Sequence, residues 1–341
     1  MIYNKMRNGL ILSLVAGFMC LTTTVAYAQT NKTDDKGRKQ GEWITKKANG
    51  TTSKGTYKDG IPEGEFTYYN KKGVLERRNT YSDKGRKMHC ELLYKDGKIK
   101  AEGNYINKKK EGVWIYHNQK GIKITEENYK NGLKNGKETN WDNDGKNIVM
   151  SAEYKDGKKN GEFFKSLYAE GYYTAYYKDD LLDGEYNEYG FDKKLKVKGQ
   201  FENGQKQGMW LVYDQSGNVI QKLFYKDDVF TSDAIIFNVQ QGTREISQFD
   251  IALLRQAGKQ TQIILFNGDR INCFNEFQSI VDLTDANKFV RINEKNKVYA
   301  NIDALQGVNN DGSVKLKIDA DLNIMPDKDG AEMLKSMFRN D

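Results

Sequence analysis

From about residue 36 to residue 228 the chain is written in short alternations of aromatic or β-branched residues with polar ones, each closed by glycine, asparagine or aspartate. In Glu65-Phe66-Thr67-Tyr68 a period of two puts Phe66 and Tyr68 on one face of a strand. Asn70-Lys71-Lys72-Gly73 then turns the chain into Val74-Leu75-Glu76-Arg77, and the pattern predicts a β-hairpin.

The hairpin recurs with a period of about 24 residues. Its first half is a Gly-x-aromatic step, at Gly41-Glu42-Trp43, Gly64-Glu65-Phe66, Gly112-Val113-Trp114, Gly161-Glu162-Phe163, Gly184-Glu185-Tyr186 and Gly208-Met209-Trp210. Gly136-Lys137-Glu138 fits with a polar third position, and Met88-His89-Cys90 falls in phase without its glycine. The second half is an aromatic before a polar turn, as in Tyr57-Lys58-Asp59-Gly60, Tyr94-Lys95-Asp96-Gly97, Asn128-Tyr129-Lys130-Asn131-Gly132, Tyr154-Lys155-Asp156-Gly157 and Phe201-Glu202-Asn203-Gly204. From Tyr105 the steps to Tyr129, Tyr154, Tyr177, Phe201 and Tyr225 are 24, 25, 23, 24 and 24 residues. Chance does not hold a two-part pattern in phase over about eight copies, so the chain is a repeat protein.

One hairpin cannot bury an aromatic face alone, so the modules are expected to pair edge to edge into one elongated sheet. Trp43, Phe66, Trp114, Phe163, Tyr186 and Trp210 are its expected core row, while Tyr69, Tyr172 and Tyr189 are expected to form an exposed aromatic surface. Gly60, Gly97, Gly132, Gly157 and Gly204 are the expected turn glycines, and the missing glycine at Met88 is expected to mark a kink. At this period, Gly-x-Trp/Phe and Tyr-Lys-Asp-Gly resemble the bacterial variant of the MORN (membrane occupation and recognition nexus) repeat over residues 36–228. That resemblance implies a repeat type and no particular activity.

After Asp228 the texture becomes mixed α/β. Ile235-Ile236-Phe237, Ile251-Ala252-Leu253-Leu254, residues 261–265, 288–292 and 314–318 read as strands, with Asn267-Gly268-Asp269 as a hairpin turn. Residues 275–283 and 329–338 read as helices; in the second, Leu334, Met337 and Phe338 share a face, with Asp327 or Asp329 as N-cap. The order of these elements, with Phe289-Val290-Arg291-Ile292, then Val298, Ile302 and Leu305, and Met325-Pro326 before the last helix, resembles a LytTR-type DNA-binding domain over residues 245–338. Where that family carries a His-Arg-Ser type run, this chain has Asn293-Glu294-Lys295. The expected fold is therefore mainly β: an elongated β-hairpin repeat sheet (29–228) followed by a small α+β domain (229–341).

Composition sharpens the division. Residues 229–341 hold 13 Lys/Arg against 16 Asp/Glu, a net of −3, while residues 29–228 hold 39 against 31, a net of +8. Residues 1–28 read as a signal peptide: Lys5 and Arg7 precede an apolar run from Leu10 to Leu21, and Ala26-Tyr27-Ala28 before Gln29 is a cleavage site. The mature chain is thus expected to be exported, periplasmic or secreted, with Cys90 and Cys273 as buried thiols.

Candidate chemistry is sparse. His89 has only Cys90 beside it as a second ligand type, and adjacent strand residues point to opposite faces, so no metal site is expected. Phosphate loop, nucleophile elbow and paired catalytic carboxylates are all missing from the sequence, so neither catalytic residues nor a cofactor are expected. The lysine runs Lys108-Lys109-Lys110 and Lys158-Lys159 fall at inter-module turns, where solvated loops are expected; a membrane surface stays open as a partner through them. The first functional expectation is a non-enzymatic protein presenting a β surface to a protein or envelope partner. The alternative is a membrane-associated or cytoplasmic transcriptional regulator with sensing repeats and a DNA-binding C-terminal domain, and export disfavours DNA as a partner.

Overall fold

A computed structural model describes residues 30–318 and 322–338. The leader assigned to residues 1–28 lies outside the described residues. Twenty strands, from Lys32–Thr33 to Gly242–Ile246, form a single antiparallel meander in which each strand pairs with its neighbours in sequence. One strand is split: Leu133–Lys134 and Gly136–Trp141 both pair with Lys123–Lys130, separated by Asn135.

Two kinds of turn alternate along this ribbon. At Asp59-Gly60, Asn131-Gly132, Asp156-Gly157 and Asn203-Gly204 both central residues have positive φ, which matches the right-handed twist of the flanking strands. The other kind opens on a side-chain acceptor: Asn70 Oδ1 takes the Lys72 and Val74 amides, and Asp214 Oδ1 takes those of Ser216 and Asn218. Tyr94-Lys95-Asp96-Gly97 belongs to the second kind, with the Gly97 amide donating to the Tyr94 carbonyl. The turns before and after it are the four-residue turn 83–86 and the two-residue turn Asn107-Lys108, and Tyr81 holds the module position assigned to Tyr94.

The repeat glycine makes a bulge. Between strands Ile99–Ile106 and Lys109–His117, Gly103 faces Trp114 but Asn104 faces Glu111, so Gly112 and Val113 are two extra residues on one side. Gly112 has φ 70°, which only glycine adopts without strain. The same two-residue offset recurs opposite Thr56, Tyr154, Tyr177 and Gln200. Strands Leu75–Ser82 and Lys87–Leu93, where Met88 replaces the glycine, pair with no register shift. The kink expected at Met88 is therefore corrected: the bulge resides in the glycine, and its loss leaves the most regular junction.

The C-terminal region grows out of the last repeat strand. Val229–Val239 pairs with Val219–Lys226 in the ribbon, yet its Ile235 and Phe237 are fully buried in the next core. That core packs on one face of a five-stranded antiparallel sheet, Arg270–Cys273, Gln260–Leu265, Ile251–Ala257, Val298–Asn301 and Phe289–Asn293 in spatial order. A second core on the opposite face joins Leu253, Ile264 and Ile292 to Leu334 of the last helix and to the hairpin Leu305–Val308/Val314–Leu316. Burial on both faces accounts for the unbroken apolar run Ile251–Leu254. A polar joint locks the two regions: Asp233 accepts from Gln221, Ser247 and the Gln248 amide, and Gln221 also donates to the Leu283 carbonyl at 3.1 Å.

Two helical expectations are adjusted. Residues 275–283 form only the short helix Phe277–Val281. The last helix, Lys328–Met337, is capped by Asp327, whose carboxylate accepts the Gly330 amide at 2.9 Å. Its contact side runs through Gly330 and Leu334, while Met337 and Phe338 are 40% and 41% exposed. The cause is the close approach at Gly330, where a β-carbon would stand 2.1 Å from the Ile292 carbonyl oxygen; the rest of the helix overhangs the core.

Candidate interaction surfaces

Each bulge throws the aromatic two residues after its glycine across the neighbouring strand. Trp114 lies over Gly103, Phe66 over Gly55 and Trp210 over Gly199, all without room for a β-carbon beneath. Tyrosines and phenylalanines of the second module position meet these rings edge-on: Tyr57 and Tyr81 flank Phe66, Tyr105 meets Trp114 at 5.1 Å, and Phe201 meets Trp210 at 5.1 Å. Phe66, Trp114, Phe163 and Trp210 are buried by this arrangement, whereas Trp43 and Tyr186 are half-buried. Trp43 sits in the first full-length strand, with a two-residue strand as its outer neighbour.

Lysines close the aromatic face. Lys39, Lys110, Lys159 and Lys206, each two residues before a repeat glycine, place their ammonium groups 4.2–5.1 Å from the centres of the rings they cover. Their alkyl stems add apolar cover, and the Lys110 ammonium also donates to the Tyr116 and Tyr129 hydroxyls at 2.8 and 3.3 Å. The sequence reading missed this lysine row and the small residues under the rings (Gly55, Gly103, Ala152, Ala175 and Gly199), although Lys-x-Gly-x-aromatic is visible once the bulge is known.

At Glu138 the row turns polar. Lys134 Nζ lies 2.6 Å from Glu138 and 2.8 Å from Glu127, and the Tyr129 hydroxyl donates to Glu127 at 2.8 Å. Burial disfavours the Glu127 charge, but hydrogen bonds from Lys134, Tyr116 and Tyr129 outweigh it and hold the carboxyl below the usual range. Burial likewise opposes charge on Lys134, and the two carboxylates overcome it and raise its pKa.

The other face is polar. Cross-strand ion pairs run along it, including Glu42 with Lys54 at 2.6 Å, Glu185 with Lys198 at 2.9 Å and Lys222 with Glu245 at 2.6 Å. Such pairs are worth little in stability and much in register and solubility. Between them stand solvent-facing apolar residues: Val113 and Met209, each beside a buried tryptophan, are 44% and 47% exposed.

The second aromatic row differs from expectation. Tyr69, Tyr172 and Tyr189 are all half-buried. Tyr172 and Tyr189 are cross-strand partners stacked at 4.6 Å, with Tyr172 also resting on Phe164, so much of their ring surface is taken. Among the described residues the most open aromatics are Tyr168 at a turn, Phe191 and Phe274. These two phenylalanines line an open cleft of about 1270 Å³ between the late repeats and the C-terminal region, with Tyr213, Ile236 and Asn275.

The five turn glycines, Gly60, Gly97, Gly132, Gly157 and Gly204, have φ between 79° and 89°. Cys90 and Cys273 are buried thiols, Cys273 raised by desolvation to about 11. Across strands, the fold brings His89, Glu91 and Glu102 together with their ligand atoms within 4.8 Å of one another, a group that spacing along the chain did not reveal. No protein-family model matches the chain, and no curated protein matches it.

Proposed function

We propose that this chain is an exported, non-enzymatic repeat protein that presents an extended β surface to a protein or other envelope partner, for binding or scaffolding in the cell envelope. The observation that carries the reading is the different use of the two faces of one sheet. Aromatic rings and lysines cover one face from within, which leaves the opposite face, ion-paired and dotted with Val113 and Met209, available along its whole length. The leader-like residues 1–28 support export, and the MORN resemblance bears on the repeat type alone.

A DNA-binding role for residues 245–338 has less behind it. The Arg291 guanidinium is engaged by Glu294 at 3.1 Å and Asp329 at 3.4 Å. The region's net charge of −3 opposes the counterion release that drives DNA affinity.

Two measurements test the proposal. A C-terminal alkaline phosphatase fusion, which folds only where disulfides form, should be active, with a mature chain beginning at Gln29. An inactive fusion beside a working cytoplasmic reporter would overturn export and favour the regulator. Val113→Asp with Met209→Asp should release the chain from the envelope fraction without lowering its thermal midpoint; retention equal to that of the unaltered chain would overturn the surface reading.

A further inference from the structure

The junction that lacks its glycine also has the most regular polar face. Because Leu75–Ser82, Lys87–Leu93 and Ile99–Ile106 pair without the two-residue offset, their side chains line up in straight cross-strand rows. One row is Thr80, His89 and Asn104; the next, two residues along, is Arg78, Glu91 and Glu102. At bulged junctions the offset breaks such rows, as where Gly103 faces Trp114 but Asn104 faces Glu111. An i, i+2 pair on one strand plus a residue directly opposite is the tightest convergence of three side chains that a sheet face offers.

The imidazole is already oriented. His89 Nδ1 lies 3.0 Å from Asn104 Oδ1, an acceptor that fixes the Nδ1–H tautomer and leaves the Nε2 lone pair free. That Nε2 lies 3.9 Å from Glu102 Oε2, and a Glu91 oxygen completes the group within 4.8 Å. Donors around a tetrahedral zinc ion sit about 3.4 Å apart, given metal–ligand distances of about 2.0–2.2 Å. Rotation about the glutamate side-chain bonds covers the difference. All three residues are only partly buried, so the ion has a path in and a fourth position open to water.

Arg78 competes for Glu91, at 2.5 Å. It also lies 3.6 Å from Glu65, so the guanidinium keeps a partner when Glu91 turns to a metal.

We propose that His89, Glu91 and Glu102 form a zinc-binding site that bridges two strands of the polar face, with Asn104 as the residue that orients His89. One imidazole with two carboxylates suits zinc better than calcium or magnesium, which prefer all-oxygen shells. The ion neutralises two carboxylates and ties Lys87–Leu93, one strand of the unbulged junction, to its other neighbour Ile99–Ile106.

The test is titration of the untagged full chain, freed of metal by chelator, with zinc chloride followed by calorimetry. One zinc per chain should bind, and its addition should raise the thermal midpoint. His89→Ala and Glu102→Gln should each weaken binding by more than tenfold, and Asn104→Ala by about 10- to 100-fold, the range for residues that orient a ligand. Cys90→Ser should leave binding unchanged. The three altered side chains face solvent at least in part, so far-ultraviolet circular dichroism without zinc should match the parent chain, and the His89 and Glu102 variants, on different strands, each carry the test alone. Absence of zinc binding by the parent chain, or equal binding by His89→Ala, would overturn the site and leave these residues as a cross-strand polar ladder.

Discussion

The α-carbon of Gly103 lies beneath the indole of Trp114, so close that a β-carbon there would stand 2.4 Å from Cδ2 of the ring. Trp114 is 2% exposed, and its Nε1–H donates to the Asn104 carbonyl at 3.1 Å, so the ring is fixed by both packing and polarity. Trp114→Ala should destabilise the repeat sheet by about 3–5 kcal/mol, the range for a buried aromatic truncation. Gly103→Ala should cost about 1–3 kcal/mol by overpacking, and the double variant less than the sum of the two. Denaturant unfolding of the three variants decides it; an unchanged midpoint for Trp114→Ala would instead make the ring a ligand platform.

Asn79 faces Cys90, where Gly103 faces Trp114, Ala152 faces Phe163 and Ala175 faces Tyr186 in other modules. A small side chain in the aromatic place leaves room for a larger one opposite, so the two substitutions compensate in volume. Cys90→Phe alone should clash with Asn79 and destabilise the chain. Adding Asn79→Gly should recover part of the loss, with a coupling energy of about 0.5–3 kcal/mol in a double-mutant cycle. Additive effects would show that the two positions do not share space.

The polar cluster gives a pH signature. The folded pKa of Glu127 is depressed, so its contribution is fully present above the ordinary glutamate value and is lost as pH falls through the lower, folded one. Lys134 is raised, so its contribution is present below the ordinary lysine value and fades as pH rises through the folded one. Lys134→Met strands two partly buried carboxylates and should cost about 3 kcal/mol at neutral pH. The Glu127 pKa then moves up, and the variant should gain stability from pH 7 to 5 while the parent does not. Parallel pH profiles for the two proteins would contradict this account.

Twenty strands at about 4.8 Å spacing give a ribbon on the order of 90 Å long. A compact globule of this chain's 341 residues would have a radius of gyration of about 20 Å. Small-angle scattering should give a clearly larger value and an asymmetric distance distribution. A value near that of the globule would rule out the single extended meander.

Much of this fold is legible in the sequence because its signals are local. A positive-φ glycine, a two-residue turn and an aromatic two positions after a bulge all lie within one module, so periodicity alone exposes them. Relationships across strands depend on register and do not show: Asn79 with Cys90, His89 with Glu102, Lys110 over Trp114. Tyr94-Lys95-Asp96-Gly97 shows the limit from the other side. Its letters match the two-residue turn motif, but its phase assigns it to the longer turn, and only the pairing of Leu93 with Ile99 distinguishes the two. The exposed aromatics escaped for a similar reason, since Phe191 and Phe274 lie outside the repeat positions and come to line one cleft only in the folded chain.

The two-residue strand Lys32–Thr33 guards the start of the ribbon. Any unclosed sheet, however long, keeps two edges whose unpaired amides and carbonyls can template another copy. At one edge the short strand pairs with Lys39 and Gln40, the Asn31 amide donates to the Glu42 carbonyl, and a charged turn joins Asp34, Arg38 and Asp59 beside them; at the other, Gly242–Ile246 carries Arg244 and Glu245. Loss of residues 30–38 would uncover an eight-residue edge beginning a series of nearly identical hairpins. Joining in that direction does not close on itself, and the product would be a filament.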